Sequence, residues 1–413
     1  MHKKGDIEEI MLERYFYSRN TNFTEVKDLT YYPFKEIINI YLKKSAINRS
    51  RGSHQNRLFY SMSPIGHRFL ENIDSDDPQF QSINLLAKQF SRVLERNSKF
   101  NFESRLTFYW DINSPVHPVC SLRDCAFGAV LNEVWFAFFA KSCPNPEIMI
   151  KAARNILMVV KDWETVDMES REQAIALVSH SVKEGLNSQL NFKDLFLNIH
   201  EVVFALIVSA LTELSEGFAH TLVCLSQNPP PFPSSSDEFT MATYEGLRLY
   251  PLFTRSTRPD IENKSLHRIN YLNYHRRHDL FGKDANKYNW RRWKYKDLLG
   301  QTFIFGIGNN RSCPGRNSAI QIIPAMVRVW MENYSIKTRI IHRRQLPCGG
   351  LAMVTLNSKR ASELLSWLHF GLWIYKQIIF FCGKKWWVSY RNFVISENLA
   401  EANFYYKTIN KFT

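Results

Sequence analysis

Residues 303–316 read FIFGIGNNRSCPGR, and no other segment says as much about the architecture of this chain. Three glycines bracket one cysteine, Cys313, which stands just before a helix predicted over residues 314–333. Glycine allows tight turns, and the N-terminus of a helix favours a nearby negative charge. The stretch therefore predicts a loop that holds Cys313 as a thiolate, either a nucleophile or a metal ligand. The loop by itself leaves a second interpretation open, a glycine-rich surface turn with an incidental cysteine.

Two earlier segments carry charges at informative spacings. Residues 245–251 read EGLRLYP, with Glu245 and Arg248 three positions apart, and this spacing brings both side chains to one face of a helix, where they can pair. A surface ion pair would have the same spacing. Residues 278–293 read HDLFGKDANKYNWRRW and add Arg292.

In this order, the three segments resemble the signature motifs of the cytochrome P450 family. The cysteine loop is similar to the family's haem-binding pattern F-x-x-G-x-R-x-C-x-G. The resemblance implies that Cys313 is the metal ligand of a haem b iron, that Arg311 pairs with a haem propionate, and that Gly315 lets the next helix start against the ring. Phe305 matches the first position of the pattern but stands eight residues before the cysteine, where the family has seven. We interpret this difference as one inserted residue in the loop.

The other two segments resemble the family's E-x-x-R helix and the stretch around its P-E-R-F or P-E-R-W motif. The resemblance implies a buried network of Glu245, Arg248 and Arg292 that locks the loop under the haem. Such a network is tolerated in a core only when each member is paired. The resemblance also implies haem contacts from Arg255 or Arg258 and from His67 or Arg68. The alternative for each of the four is an ordinary solvated basic residue.

The implied fold is mainly α with a small β region, the cytochrome P450 fold, in a haem domain over residues 1–360. A long helix is predicted over residues 198–227, and its centre is apolar on all sides, which is typical of a buried core helix. In the family this helix carries an acid followed by a threonine for proton delivery to bound oxygen. Here Thr212 and Glu213, the predicted catalytic pair, occur in the inverted order. An alternative is that Glu213 and Glu216 simply face solvent.

Composition limits location and partners. The chain has 53 basic and 39 acidic residues in 413, a net charge of +14, which favours acidic partners. Seven scattered cysteines and an amino end without an apolar run predict a cytoplasmic protein. No nucleic-acid motif was recognised. The resemblance implies an electron donor, and because no flavin or nucleotide motif was recognised in this chain, that donor would be a separate acidic protein: a ferredoxin, a flavodoxin or a P450 reductase.

The segment over residues 361–413 lies outside the resemblance. Residues 364–387 join an apolar 20-residue stretch to Lys384, Lys385 and two tryptophans, which is typical of a membrane-interface helix or a weak span. An amphipathic helix packed on the domain fits equally, because Lys376 is unfavourable at a bilayer centre. Peripheral membrane contact through this tail is one expectation.

The resemblance implies an oxidoreductase, a monooxygenase that inserts one oxygen atom from O2 into a small apolar substrate. Three alternatives stay open: a peroxide-using or rearranging haem-thiolate enzyme, a degenerate haem-binding protein without catalysis, and a basic protein without haem.

Overall fold

The computed structural model describes residues 25–41, 62, 78–99, 102–112, 119–160, 164–190, 198–228, 233–253, 255–260, 263, 265–294, 298–306, 312–337, 351–356 and 371. Its helices are α1 (Phe34–Tyr41), α2 (Pro78–Lys99), α3 (Phe102–Ile112), α4 (Leu122–Phe139), α5 (Pro146–Val160), α6 (Met168–Glu184), α7 (Ile199–Gln227), α8 (Ser236–Leu249), α9 (Tyr271–Tyr274), α10 (His278–Phe281) and α11 (Arg316–Asn333). Short 3-10 turns cover Trp290–Lys294 and Leu299–Gln301.

Within the described residues, six strands form two small sheets. Strands β1 (Glu25–Asp28), β4 (Ser265–Asn270) and β3 (Arg255–Asp260) make one, with β1 parallel and β3 antiparallel to the central β4. Strands β2 (Val119–Ser121), β6 (Leu351–Leu356) and β5 (Tyr334–Lys337) make the other, antiparallel throughout. The prediction of a mainly α protein with a small β region is confirmed.

Helix α7 is the centre of the larger core. Its apolar residues recur on every side, so it can be covered only by several neighbours, and it packs against α4, α8, α6 and α11. By length and composition α7 could cross a membrane, yet 83% of its most apolar window is buried inside the fold. A core helix meets the same criteria, in agreement with the predicted burial.

Aromatic rings close the contact between α7 and its neighbours. Trp110 of α3 stacks on Phe218 of α7, with ring centroids 5.9 Å apart, and meets Trp330 of α11 edge-on at 4.7 Å. Such ring pairs add about 0.5–1.5 kcal/mol each beyond the area that they bury. The carboxyl half of α11 is thereby held against the core, which leaves its amino end to carry the cysteine loop.

Several predicted elements are found with small shifts. The helix predicted over residues 198–227 begins at Ile199, and the one predicted over 314–333 begins at Arg316. The latter continues through Pro324, whose ring occupies a buried position inside α11. Between residues 250 and 312, the described part contains strands β3 and β4 and the helical turns α9 and α10. Residues 351–356 form the strand β6, whose partners are β5 and β2.

Candidate functional site

Cys313 lies on the closing strand of a small hairpin. Its backbone N–H donates to the carbonyl of Phe305 at 2.8 Å, and Gly306 and Ser312 form an antiparallel bridge beside it. Gly306 has a φ of +86°, a conformation that residues with a Cβ rarely adopt. One of the glycines that bracket the cysteine is therefore required by the backbone. The tip of the hairpin, residues 307–311, lies outside the described residues.

The Cys313 side chain is exposed at the amino end of α11. The carbonyl of Cys313 accepts the N–H of Arg316 at 3.3 Å, and Gly315 is the N-terminal cap residue of the helix. Among the described residues, a Cβ at Gly315 would meet only the Cys313 Sγ, at 3.8 Å. The helix terminus favours negative charge beside the sulfur.

The carboxylate of Glu245 contacts both of the cations that were predicted to pair with it. Arg248 Nη2 lies 2.7 Å and Arg292 Nε 2.9 Å from Glu245 Oε1. Glu245 and Arg248 are fully buried and the side chain of Arg292 is 7% exposed. The structure therefore brings all three predicted members together. The alternative of a surface pair between Glu245 and Arg248 is wrong.

Two further groups complete the carboxylate's shell, and neither was assigned a role from the sequence. The indole N–H of Trp293 donates to Glu245 Oε2 at 3.0 Å, and the backbone N–H of Asn289 donates to Oε1 at 3.0 Å. Arg292 is held in turn by Asp284, at 3.1 Å. The signal that could have pointed to Trp293 is its position next to Arg292 in the turn Trp290–Lys294.

Aromatic packing connects this shell to the cysteine hairpin. Tyr244, the neighbour of Glu245 in α8, has its ring 5.2 Å from that of Trp293 and 6.4 Å from that of Phe305. The Phe305 ring has a second neighbour, because the guanidinium of Arg316 lies 5.9 Å from its centroid. Phe305, predicted as part of the cofactor site, is therefore half-buried between α8 and the start of α11.

The central helix α7 is covered almost everywhere, but one face is partly open. Ser209, Ala210 and Glu213 are partly exposed within a run of buried residues. Thr212 is buried, and its hydroxyl donates to the carbonyl of Val208 at 2.9 Å. The predicted catalytic pair is thus divided: Glu213 lies on the open face and Thr212 does not.

Glu216, one turn further along α7, is buried and does not face solvent. Its carboxylate lies 3.0 Å from Arg123 Nη1 of α4 and 3.3 Å from His220 Nε2. The alternative that Glu213 and Glu216 both face solvent is therefore wrong for Glu216. The reason is tertiary, because the approach of α4 brings the guanidinium of Arg123 to this carboxylate.

Several predicted residues lie outside the described part of the chain. These are Arg311, His67, Arg68 and the tail, apart from Gly371. Arg255 and Arg258 belong to strand β3, where only the backbone is described.

No protein-family model and no curated protein matches this chain. A haem group would suit the residues present, because an exposed cysteine at a helix N-terminus is a suitable axial donor. The buried network behind the hairpin would resist displacement of that sulfur.

Proposed function

We propose that this chain is a haem-thiolate monooxygenase with the cytochrome P450 fold, and that Cys313 is its axial ligand. The observation that carries the proposal is the fully buried Glu245 carboxylate, which Arg248 and Arg292 share. Its neighbour Tyr244 packs against Phe305 of the cysteine hairpin, with ring centroids 6.4 Å apart. Burying three charges is favourable only when their geometry is well satisfied. A chain keeps such a network where a nearby loop must be held rigidly.

The chain's own residues would divide the work as follows. Cys313 would hold the haem iron, and the backbone bond from its N–H to Phe305 would fix the direction of the sulfur. The bound haem would supply the activation of dioxygen. Ser209 and Ala210 would line the opposite wall, on the open face of α7, with Glu213 as the group able to move a proton there.

The partners follow from the same proposal. Without a recognised flavin or nucleotide motif, the chain would take electrons from a separate ferredoxin, flavodoxin or P450 reductase. An acidic donor suits the net charge of +14. The substrate would be a small apolar molecule, because α7 contributes mainly apolar side chains. A cytoplasmic location, with membrane contact through residues 364–387, belongs to this proposal as well.

The test is the absorption spectrum of the dithionite-reduced full-length protein under carbon monoxide. Thiolate ligation gives a band at about 450 nm, which the Cys313→Ser variant should lack. Cys143→Ser is the matched control, since Cys143 is a half-buried thiol between helices α4 and α5. Failure of the native protein to bind haem, or a band that persists in Cys313→Ser, would refute the proposed ligand.

One observation favours a peroxide-using enzyme as the second candidate. The buried Thr212 hydroxyl is bound to the Val208 carbonyl, whereas Glu213 is partly exposed on the open face of α7. Peroxide already carries both oxygen atoms and the electrons, so it needs a proton-transfer group but no reductase.

Turnover of an aromatic ether that fluoresces on O-dealkylation separates the two candidates. A monooxygenase requires the reductase and NADPH, and a peroxide-using enzyme requires hydrogen peroxide alone. Glu213→Gln should lower turnover in either case by about 100-fold or more, the usual range for a proton-transfer group. Thr212→Ala should change it little if Thr212 is only a helix residue.

A further inference from the structure

His275 follows helix α9 and is completely buried. Its ring Nε2 accepts the backbone N–H of Phe303 at 3.0 Å. A nitrogen that accepts a hydrogen bond carries no proton, so the neutral ring must hold its proton on Nδ1. That N–H is buried with no hydrogen-bond partner in the described part of the chain.

The same residue also contacts the ion-pair network. Its backbone carbonyl accepts a hydrogen bond from Arg248 Nη1, and the same Nη1 donates to the Ala285 carbonyl at 2.8 Å. Phe303, on the other side, stands two residues before Phe305, whose carbonyl holds the Cys313 N–H. His275 therefore contacts the ion-pair network through its backbone carbonyl and the segment that leads into the hairpin through its ring.

The surroundings of the ring favour its neutral form. Burial is the main cause that lowers the pKa of His275 to about 3, and the positive charge of Arg248 lowers it further. Arg276, the next residue, contributes a smaller effect in the same direction. The rings that face the imidazole are Tyr271, Tyr274, Phe281 and Phe303. The described neighbours therefore provide two cations and apolar rings.

We infer that His275 is a positioning residue for Cys313, whose neutral imidazole fixes the start of the cysteine hairpin to the Glu245–Arg248 network. Protonation of Nε2 removes the acceptor, so acid releases Phe303 and loosens the hairpin. The effect of His275 on the haem ligand rests on the proposed function. Its role in holding the hairpin is independent of that function.

The pH dependence has a definite sign. The folded-state pKa lies below the ordinary value of about 6.5, so the anchor contributes fully above that pH and is lost as pH falls through the window toward about 3. When the hairpin opens, His275 regains its ordinary pKa. The opening equilibrium should therefore grow about 30-fold between pH 7.5 and pH 5.

Hydrogen exchange of the backbone amide of Phe303, in the full-length protein without added haem, tests this directly. Rates are divided by the intrinsic rate at each pH. Native protein should lose protection about 30-fold from pH 7.5 to pH 5. His275→Gln keeps an acceptor that does not titrate and should give a flat profile. His275→Phe should exchange about tenfold faster at every pH, because one neutral hydrogen bond is lost.

The control is His278→Gln, since His278 is exposed on α10 and its side chain bonds only to Asn286 among the contacts described. It should keep the native profile. A flat profile in native protein, or the native slope in His275→Gln, would overturn the inference. A flat profile in native protein overturns the inference even where a variant fails to fold.

The haem-bound protein gives the second readout. The fraction of the carbon monoxide complex that absorbs at about 450 nm should fall with pH over the same window in native protein, but not in His275→Gln. Absence of that band at all pH values, with the exchange profile as expected, would refute the proposed function and leave the role of His275 supported. A normal band with unchanged exchange would refute the role of His275 alone.

Discussion

The Glu245 carboxylate accepts five hydrogen bonds: two from Arg248 and one each from Arg292, Trp293 and the Asn289 backbone. Glu245→Gln removes the charge that these groups share and turns one acceptor into a donor. The buried guanidinium of Arg248 then loses its counter-charge, and Arg292 loses one of its two carboxylate partners and keeps Asp284. We expect a loss of about 3–5 kcal/mol in the free energy of unfolding, measured by urea denaturation with tryptophan fluorescence.

Glu332→Gln is the matched control for that change. Glu332 pairs with Arg328 at 3.0 Å on α11, but both side chains are well exposed. An exposed pair of this kind contributes about 0.3–0.5 kcal/mol. Equal losses in the two variants would mean that the Glu245 network is no stronger than a surface pair.

Among single residues, the sequence predicted the roles that depend on a short spacing along the chain. Glu245 and Arg248 lie on one helix face by their i,i+3 spacing, and a family pattern added Arg292. The indole of Trp293 and the imidazole of His275 reach their partners through tertiary contacts, of 48 and 28 positions in sequence respectively. No local pattern encodes such contacts, so those two roles could be recognised only in the structure.

Two glycines set how closely helices approach α7. A Cβ at Gly246 of α8 would stand 2.9 Å from the Thr221 backbone Cα, which cannot move without moving α7. A Cβ at Gly217 of α7 would stand 2.6 Å from Ile323 Cδ1, the flexible end of a side chain on α11. A side chain at Gly246 would therefore displace the backbone of α7, whereas one at Gly217 would displace only the Ile323 side chain.

We expect Gly246→Ala to lower the free energy of unfolding by about 1–3 kcal/mol, because overpacking must shift a helix that carries Glu245. Gly217→Ala should be milder, since rotation of Ile323 relieves the clash and alanine favours a helix by about 1 kcal/mol over glycine. Urea denaturation of both variants measures the difference. The reverse order would contradict the helix spacing described.

Helices α4 and α7 are joined by the buried pair of Arg123 and Glu216. Arg123→Met leaves Glu216 buried without this cation and should cost about 3–5 kcal/mol. The double variant Arg123→Met, Glu216→Gln should recover most of that loss, because no unpaired charge is left. Thermal and urea unfolding check the pair, and a double variant as unstable as the single one would show that the charges are not coupled.

Among the elements, helices with a clear apolar pattern were predicted to within a few residues, α7 and α11 foremost. The burial of Glu216 was not, because a lone acid in an apolar helix has the same pattern whether a cation from α4 meets it or water does. The pairing of β6 with β2 has no local signal for a similar reason: β2 lies more than 200 residues earlier in the chain.

At the scale of the whole molecule, a haem bound as proposed should contribute to the free energy of unfolding. A ligand that binds the folded chain alone stabilises it by mass action, about 2.7 kcal/mol at a free concentration 100 times its Kd. Haem bound through the hairpin at the start of α11 should therefore raise the unfolding temperature of native protein in proportion to the logarithm of free haem. Cys313→Ser should shift that dependence to higher haem concentrations, because the axial bond is lost.

Differential scanning calorimetry of the full-length protein over a haem titration measures this linkage, with zinc protoporphyrin as a comparison that offers the same ring with another metal. Cys143→Ser should titrate like native protein. Loss of the dependence in both cysteine variants would point to general thiol damage. Equal stabilisation of native protein and Cys313→Ser would place the haem elsewhere on the chain. A steeper response in native protein alone would tie the cofactor to the same hairpin that the buried carboxylate of Glu245 supports.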